Sequence, residues 1–169
     1  MKQLLFFLAF IGFFFTSPGQ KPAIVKAVHD GDSYRVEYLD GRKVWVRLWG
    51  TDCPEIISNH ITADQDFGRT AGNLVREMIK GKTVMVDSVR TDLYGRTVAR
   101  ITLEGGQDLT QVVIFNGWGW WFNNSRISSA ELDILKDLQR KAQESKSGLW
   151  ALPGRKIRPG TFRSQNWRQ

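Results

Sequence analysis

Two stretches of alternating apolar and polar residues, Tyr34 to Leu39 and Val44 to Trp49, stand on either side of Asp40-Gly41. A period of two marks a strand with one buried face, and Asp-Gly is a favoured hairpin turn, so this region is predicted to be an antiparallel hairpin. Val44, Val46 and Leu48 fall on one face of its second strand, which places Arg47 on the other, beside Trp45 and Trp49. A strand is predicted ahead of the hairpin at Ala23 to Val28. Two more follow at Thr83 to Val89 and Thr97 to Leu103. Between the third and fourth, Asp64 to Lys80 carries Ala71, Leu74, Val75, Met78 and Ile79 at helical spacing, closed by Gly81. A short helix is predicted from Leu109 to Asn116, and Ser128-x-x-Glu131 is a capping box opening a last helix with the stripe Leu132, Leu135 and Leu138, stopping at Gly148. Five strands with helices after the third and fifth predict a mainly β fold with helices (α+β), a small barrel closed or partly open, and not a parallel βαβ sheet. Residues 151–169, with Pro153, Gly154, Pro159 and Gly160, read as an irregular segment that either wraps over the domain or hangs free.

At 169 residues, 41% hydrophobic and 24% charged, the chain fits one core-forming domain and neither a disordered tail protein nor a polytopic membrane protein. One cysteine, Cys53, excludes an internal disulfide framework and every multi-thiolate metal site, and two histidines leave little for imidazole chemistry. The net charge is +7, but residues 20–150 carry 18 cations against 17 acids. The basicity therefore belongs to 151–169, as a solvated segment or as a source of phosphate contacts. At the N-terminus, Lys2, an uncharged run from Leu4 to Phe15 and the turn-prone Thr16-Ser17-Pro18-Gly19 read as a signal peptide over 1–19. That reading places the mature chain, 20–169, outside the cell or in the periplasm, with an uncleaved membrane anchor as the alternative. In such a compartment Cys53 is expected to be buried or to pair with another molecule.

Carboxylates and arginines gather at the strand ends: Asp30-Gly31-Asp32-Ser33, Arg47, Thr51-Asp52-Cys53-Pro54-Glu55 and Asp92-Leu93-Tyr94-Gly95-Arg96. Each fragment alone has a structural explanation as a turn. Together they offer hard oxygen ligands, Asp32 and Asp52, for an ion such as calcium or magnesium, and guanidinium groups suited to charge on phosphate oxygens.

The order D-G-D-S, R-L-W-G-T-D-C-P-E, D-L-Y-G-R and S-G-L-W resembles the thermonuclease family, the staphylococcal nuclease-like domain, over about residues 23–150. The resemblance implies an OB-fold five-stranded barrel with about three packed helices, and calcium-dependent hydrolysis of DNA and RNA with little sequence preference. It implies that Asp32, Asp52 and the Cys53 carbonyl hold Ca2+, that Arg47 and Arg96 contact the scissile phosphate, that Glu55 activates water, and that Tyr94 lies beside the nucleotide. It also implies 3′-phosphate products and a monomer acting on single strands by preference, without a stable protein partner. Three departures stand out. Cys53 replaces a common Thr, Leu93 stands where a Lys is frequent, and Asn123, Asn124 and Ser125 replace aromatic and basic residues. Base stacking could then pass to Trp120, Trp121 or Phe122, or these rings could pack the last helix on the barrel. A non-catalytic OB-fold module binding single-stranded nucleic acid is the rival reading; against it, Asp32, Asp52 and Glu55 would repel a polyanion unless a cation lay between them.

Overall fold

The computed structural model describes residues 19–124 and 126–168, so the expected leader, apart from Gly19, lies outside the described residues, as does Ser125. Five strands close into a barrel: β1 (Gln20–Val28), β2 (Ser33–Tyr38), β3 (Lys43–Leu48), β5 (Thr83–Thr91) and β6 (Thr97–Thr102). Around the barrel the order is β1-β2-β3-β6-β5, with β5 returning to β1. All contacts are antiparallel except β3 with β6, which run parallel. This is the α+β barrel expected from the alternation, and it is closed.

The hairpin forms at Asp40-Gly41, where Gly41 takes φ +81°, a left-handed value that glycine adopts without steric cost. Val25, Val36, Val46, Leu48, Val86 and Ile101 are buried in the barrel interior, so the even positions of β3 do face the core. Trp49 follows β3 and is equally buried. The ring lies 4.8 Å beneath the Arg100 guanidinium, and Nε1 donates to Glu131 Oε1 at 2.9 Å, so helix covers what the alternation left outside.

Helix α1 (Gly68–Ile79) packs Ala71, Val75 and Ile79 inward. It begins four residues later than the Asp64 expected from the apolar spacing, because Phe67 takes a left-handed φ of 70° and breaks the helical path. Helix α2 (Leu109–Phe115) is capped by Asp108, whose side chain accepts from Gln111 N. Helix α3 (Ser129–Glu144) is capped by Ser128 Oγ, which accepts from Glu131 N. Only that half of the expected capping box is used, since the Glu131 carboxylate binds Arg100 and Trp49 instead.

Two elements were not expected. A ribbon of two-residue strands pairs β4 (Thr51–Asp52) with β7 (Trp120–Trp121). The segment beyond 151, expected to be irregular, contains helix α4 (Pro159–Asn166), opened by a buried proline at its first position. This position suits proline, whose missing N–H is not needed there. The segment wraps: Thr62 N donates to Asn166 O at 3.0 Å, Arg168 N donates to His60 O at 2.9 Å, and Gln65 Nε2 donates to Ile157 O at 2.6 Å. Trp167 stacks on His60 with ring centroids 5.2 Å apart.

Candidate active site

Strand register assembles the site. Ser33 pairs with Arg47 across β2 and β3, and Val46 pairs with Thr97 across the parallel β3–β6 contact. Asp32 immediately precedes Ser33, and Arg96 immediately precedes Thr97, so one carboxylate and two guanidinium groups arrive at the same end of the barrel. The β4–β7 ribbon brings in Asp52, reinforced by Thr51 Oγ1 donating to Trp120 O at 3.0 Å.

Arg47 spans the two aspartates. Nη1 donates to Asp32 Oδ1 and Nη2 to Asp52 Oδ1, each at 2.5 Å. Asp32 is 1% exposed and its second oxygen accepts from Cys53 N at 2.6 Å. Asp30, also buried, accepts from Asp32 N at 3.1 Å. Burial pushes the Asp32 carboxyl up to about 7, against the pull of Arg47. Burial likewise raises Asp30. For Glu55 burial is again the main cause, followed by the charge of Asp32, while Arg163 holds the rise back. Burial opposes the charge on Arg47 too, but Asp32 and Asp52 outweigh it, and the guanidinium stays protonated. Removing one member of such a buried pair typically costs about 3–5 kcal/mol, because the partner charge is left uncompensated.

Arg96 is aimed by Asp92. The Asp92 carboxylate accepts from the backbone N–H of Tyr94 and of Arg96, both at 2.9 Å, and from Arg96 Nε at 2.8 Å. The D-L-Y-G-R stretch is thus a turn tied by one carboxylate, which fixes the places of Tyr94 and Arg96. Tyr94 is exposed, with the Arg96 guanidinium 5.4 Å from its ring centre. Leu93 is fully exposed beside Tyr94.

Cys53 is buried, the first of the two expected alternatives. Its sulfur is wedged between two glycines: a Cβ on Gly31 would lie 2.8 Å from it and one on Gly119 only 2.7 Å. Burial, with Asp32 next in effect, raises the thiol well above its ordinary range. The side chain serves packing, and the backbone N–H of Cys53 is taken up by Asp32.

A groove of about 840 Å³ runs over this rim, lined among others by Arg47, Asp52, Glu55, Tyr94, Arg96 and Arg163. Trp120 and Trp121, offered from the sequence as stacking platforms, are not among its walls. Trp120 is buried opposite Asp52 in the ribbon and meets Trp150 edge-on at 5.6 Å. Trp121 turns away toward the C-terminal segment, where the Arg158 guanidinium lies 4.9 Å from its ring. The ribbon places these two rings in packing. The aromatic groups exposed in the groove are Trp45, Tyr94, Phe122 and Trp167.

Sequence reasoning missed Arg163 altogether. It lies on α4, yet Nη1 and Nη2 reach Asp52 Oδ1 and Oδ2 at 2.9 and 3.1 Å, and Nη1 also binds Glu55 Oε1. Glu55 is further held through its backbone, N–H to Gln65 Oε1 at 3.2 Å. The available signal was the Pro159-Gly160 helix start, which reads as a break when no partner surface is in view.

The donor set fits a hard divalent cation. Asp32 and Asp52 already converge on one positive group, Arg47, and carboxylate oxygens are the ligands such an ion prefers. Among the described residues no three His, Cys, Asp or Glu side chains form a metal cluster, so such an ion would rest on two carboxylates plus main-chain and water oxygens.

Residues 45–152 match the family described as "Staphylococcal nuclease homologue". An "Uncharacterized endonuclease" of Escherichia coli O157:H7 is 31% identical over 128 residues, 75% of each chain. A "Probable endonuclease LCL3" of Clavispora lusitaniae is 28% identical over 167 residues, 83% of this chain and 71% of that one. The family match spans more than half of the chain and takes in both arginines at the barrel rim and the whole of the ribbon, and with it the chain belongs to the family of staphylococcal nuclease homologues.

Proposed function

We propose that the chain is a calcium-dependent nuclease that hydrolyses phosphodiester bonds of DNA and RNA with little sequence preference, leaving 3′-phosphate and 5′-hydroxyl ends. Phosphodiester hydrolysis as the reaction class comes from family membership and the endonuclease names of the relatives. The observation that carries the finer reading is the Asp32–Arg47–Asp52 bridge at the rim, two buried carboxylates aimed at one cationic point with Glu55 and Arg96 facing the same groove.

Asp32, Asp52 and the Cys53 carbonyl would hold the ion, which when bound polarises the phosphate and helps to place water. Glu55, whose proton affinity burial has raised, orients the attacking water and takes its proton. Arg47 and Arg96 receive the charge that develops on the phosphate oxygens as the P–O bond to the leaving 5′-oxygen lengthens. The leaving 5′-oxygen takes up a proton from solvent water and departs as a hydroxyl. Tyr94, exposed beside Arg96, is placed to flank the nucleotide, and the exposed rings of Phe122 and Trp45 can stack on bases without reading sequence. Export through residues 1–19 and action as a monomer on single strands belong to the same reading.

Its test is incubation of the purified chain with denatured DNA in calcium, in magnesium and in excess chelator, beside Glu55→Gln, following fragment length and end chemistry. Calcium-dependent fragments ending in 3′-phosphate, reduced at least about a hundredfold in the variant, are expected. DNA left intact but retained by the protein would instead mean a binding module.

A further inference from the structure

The carboxylates at the rim are not free in this structure. Both oxygens of Asp52 accept from guanidinium groups, Oδ1 from Arg47 and Arg163 and Oδ2 from Arg163. Arg47 comes from β3, inside the part of the chain that the family covers. Arg163 does not: it lies 111 residues beyond Asp52 on α4, outside the 45–152 match. It is also the only tail cation that an ion pair ties to the barrel among the described residues. Its delivery is built rather than incidental. Pro159 is buried, Trp167 bridges to Ile61, Thr62 Oγ1 and N both donate to Asn166 O, and Gln65 ties Glu55 N on one side to Ile157 O on the other.

A fork with two bonds to Asp52 and one to Glu55 fixes the direction of both carboxylates relative to each other. It also adds one positive charge at the place where a divalent cation would have to approach Asp52. Resting on the reading of Asp32 and Asp52 as cation ligands, we propose that Arg163 is a further residue of the active site, a positioning residue that holds Glu55 and Asp52 as an internal counter-ion and competes with the divalent cation for Asp52. The C-terminal segment is then part of the site, and its guanidinium must give up Asp52 when the ion binds, keeping Glu55.

Calcium alone, titrated by calorimetry into the whole chain without nucleic acid, tests this. Arg163→Gln removes the competing charge and keeps a hydrogen-bonding side chain, and its calcium affinity is expected to rise about tenfold. Arg163→Lys restores the charge and is expected to stay within about threefold of the parent chain. Arg155→Gln, an exposed cation of the same segment, controls for net charge and is expected to change affinity less than twofold. A disturbed fold would weaken calcium binding, not strengthen it, so the sign separates positioning from mere structure. Unchanged or weaker calcium binding in Arg163→Gln, or an equal gain in Arg155→Gln, overturns the proposal. DNA cleavage by the parent chain is scored separately. A parent that cuts DNA in calcium while Arg163→Gln binds the ion no better loses this inference and keeps the nuclease. A parent that neither binds calcium nor cuts loses both.

Discussion

At the residue scale, the two arginines of the rim differ in what holds them. Arg47 is locked between two buried carboxylates, whereas Arg96 is steered by Asp92 through Nε and makes only a long contact, 3.5 Å, from Nη1 to Ser33 Oγ. Arg96→Ala is therefore the cleaner probe of phosphate charge, and a loss of about 10²–10³ in turnover is expected in a DNA-cleavage assay, with only a small fall in the thermal midpoint from the lost pair with Asp92. Arg47→Ala would mix that loss with the cost of leaving Asp32 and Asp52 facing each other. Cys53 yields a different expectation. Buried, and with a thiol held in its neutral form, it should resist a thiol-specific reagent in the native protein and react fully after unfolding in guanidinium, as absorbance titration would read.

At the scale of elements, the alternation around Asp40-Gly41 identified the hairpin, and with it the face of Arg47, because a two-residue period leaves no other choice. Asp32, Arg47, Glu55 and Arg96 stood out in the sequence as charged groups clustered in and beside the predicted turns, and their roles came from the resemblance of those motifs, not from the strand period. The β4–β7 ribbon was not legible, since two residues carry no period and their partner lies about seventy residues away, as the Thr51–Trp120 bond shows. That is why Trp120 and Trp121 could be mistaken for groove walls. Helix α4 was hidden by its Pro-Gly start and its short length, and its stability comes from docking, not from its own residues. The turn from Asp92 to Arg96 carries a pH dependence. Burial would raise the Asp92 carboxyl, but the N–H and guanidinium of Arg96 outweigh it and the shift is downward. A carboxyl lowered on folding stabilises the native state at neutral pH, and that contribution fades as acid protonates it. The urea midpoint of the parent chain should therefore fall more steeply below about pH 4 than that of Asp92→Asn, with the two curves converging in stronger acid.

At the scale of the whole molecule, the charge imbalance read from the sequence is partly spent inward. Of the five tail cations, Arg158 lies against Trp121 and Arg163 against Asp52 and Glu55, while Arg155 and Arg168 stay exposed. Removing residues 155–169 would uncover Ile61 and Gln65 as well as lowering the positive charge. The thermal midpoint of the shortened chain is expected to drop by roughly 5 °C, taking about 1.5–3 kcal/mol for one large apolar side chain. Scanning calorimetry checks it, and a tail that only floated in solvent would leave the midpoint in place. The salt slope of DNA binding should fall by about one for each phosphate contact the exposed cations made.

The wrapped C-terminal segment has a consequence in time as well as in space. Synthesis proceeds from the N-terminus, so Asp52 and Glu55 emerge more than a hundred residues before the guanidinium that binds them. During that interval only Arg47 is available to pair with Asp52, and helix α4 adds the second guanidinium once it has emerged. Assembly of this pocket is thereby tied to the emergence of helix α4, which fastens Asp52 and Glu55 from far along the chain.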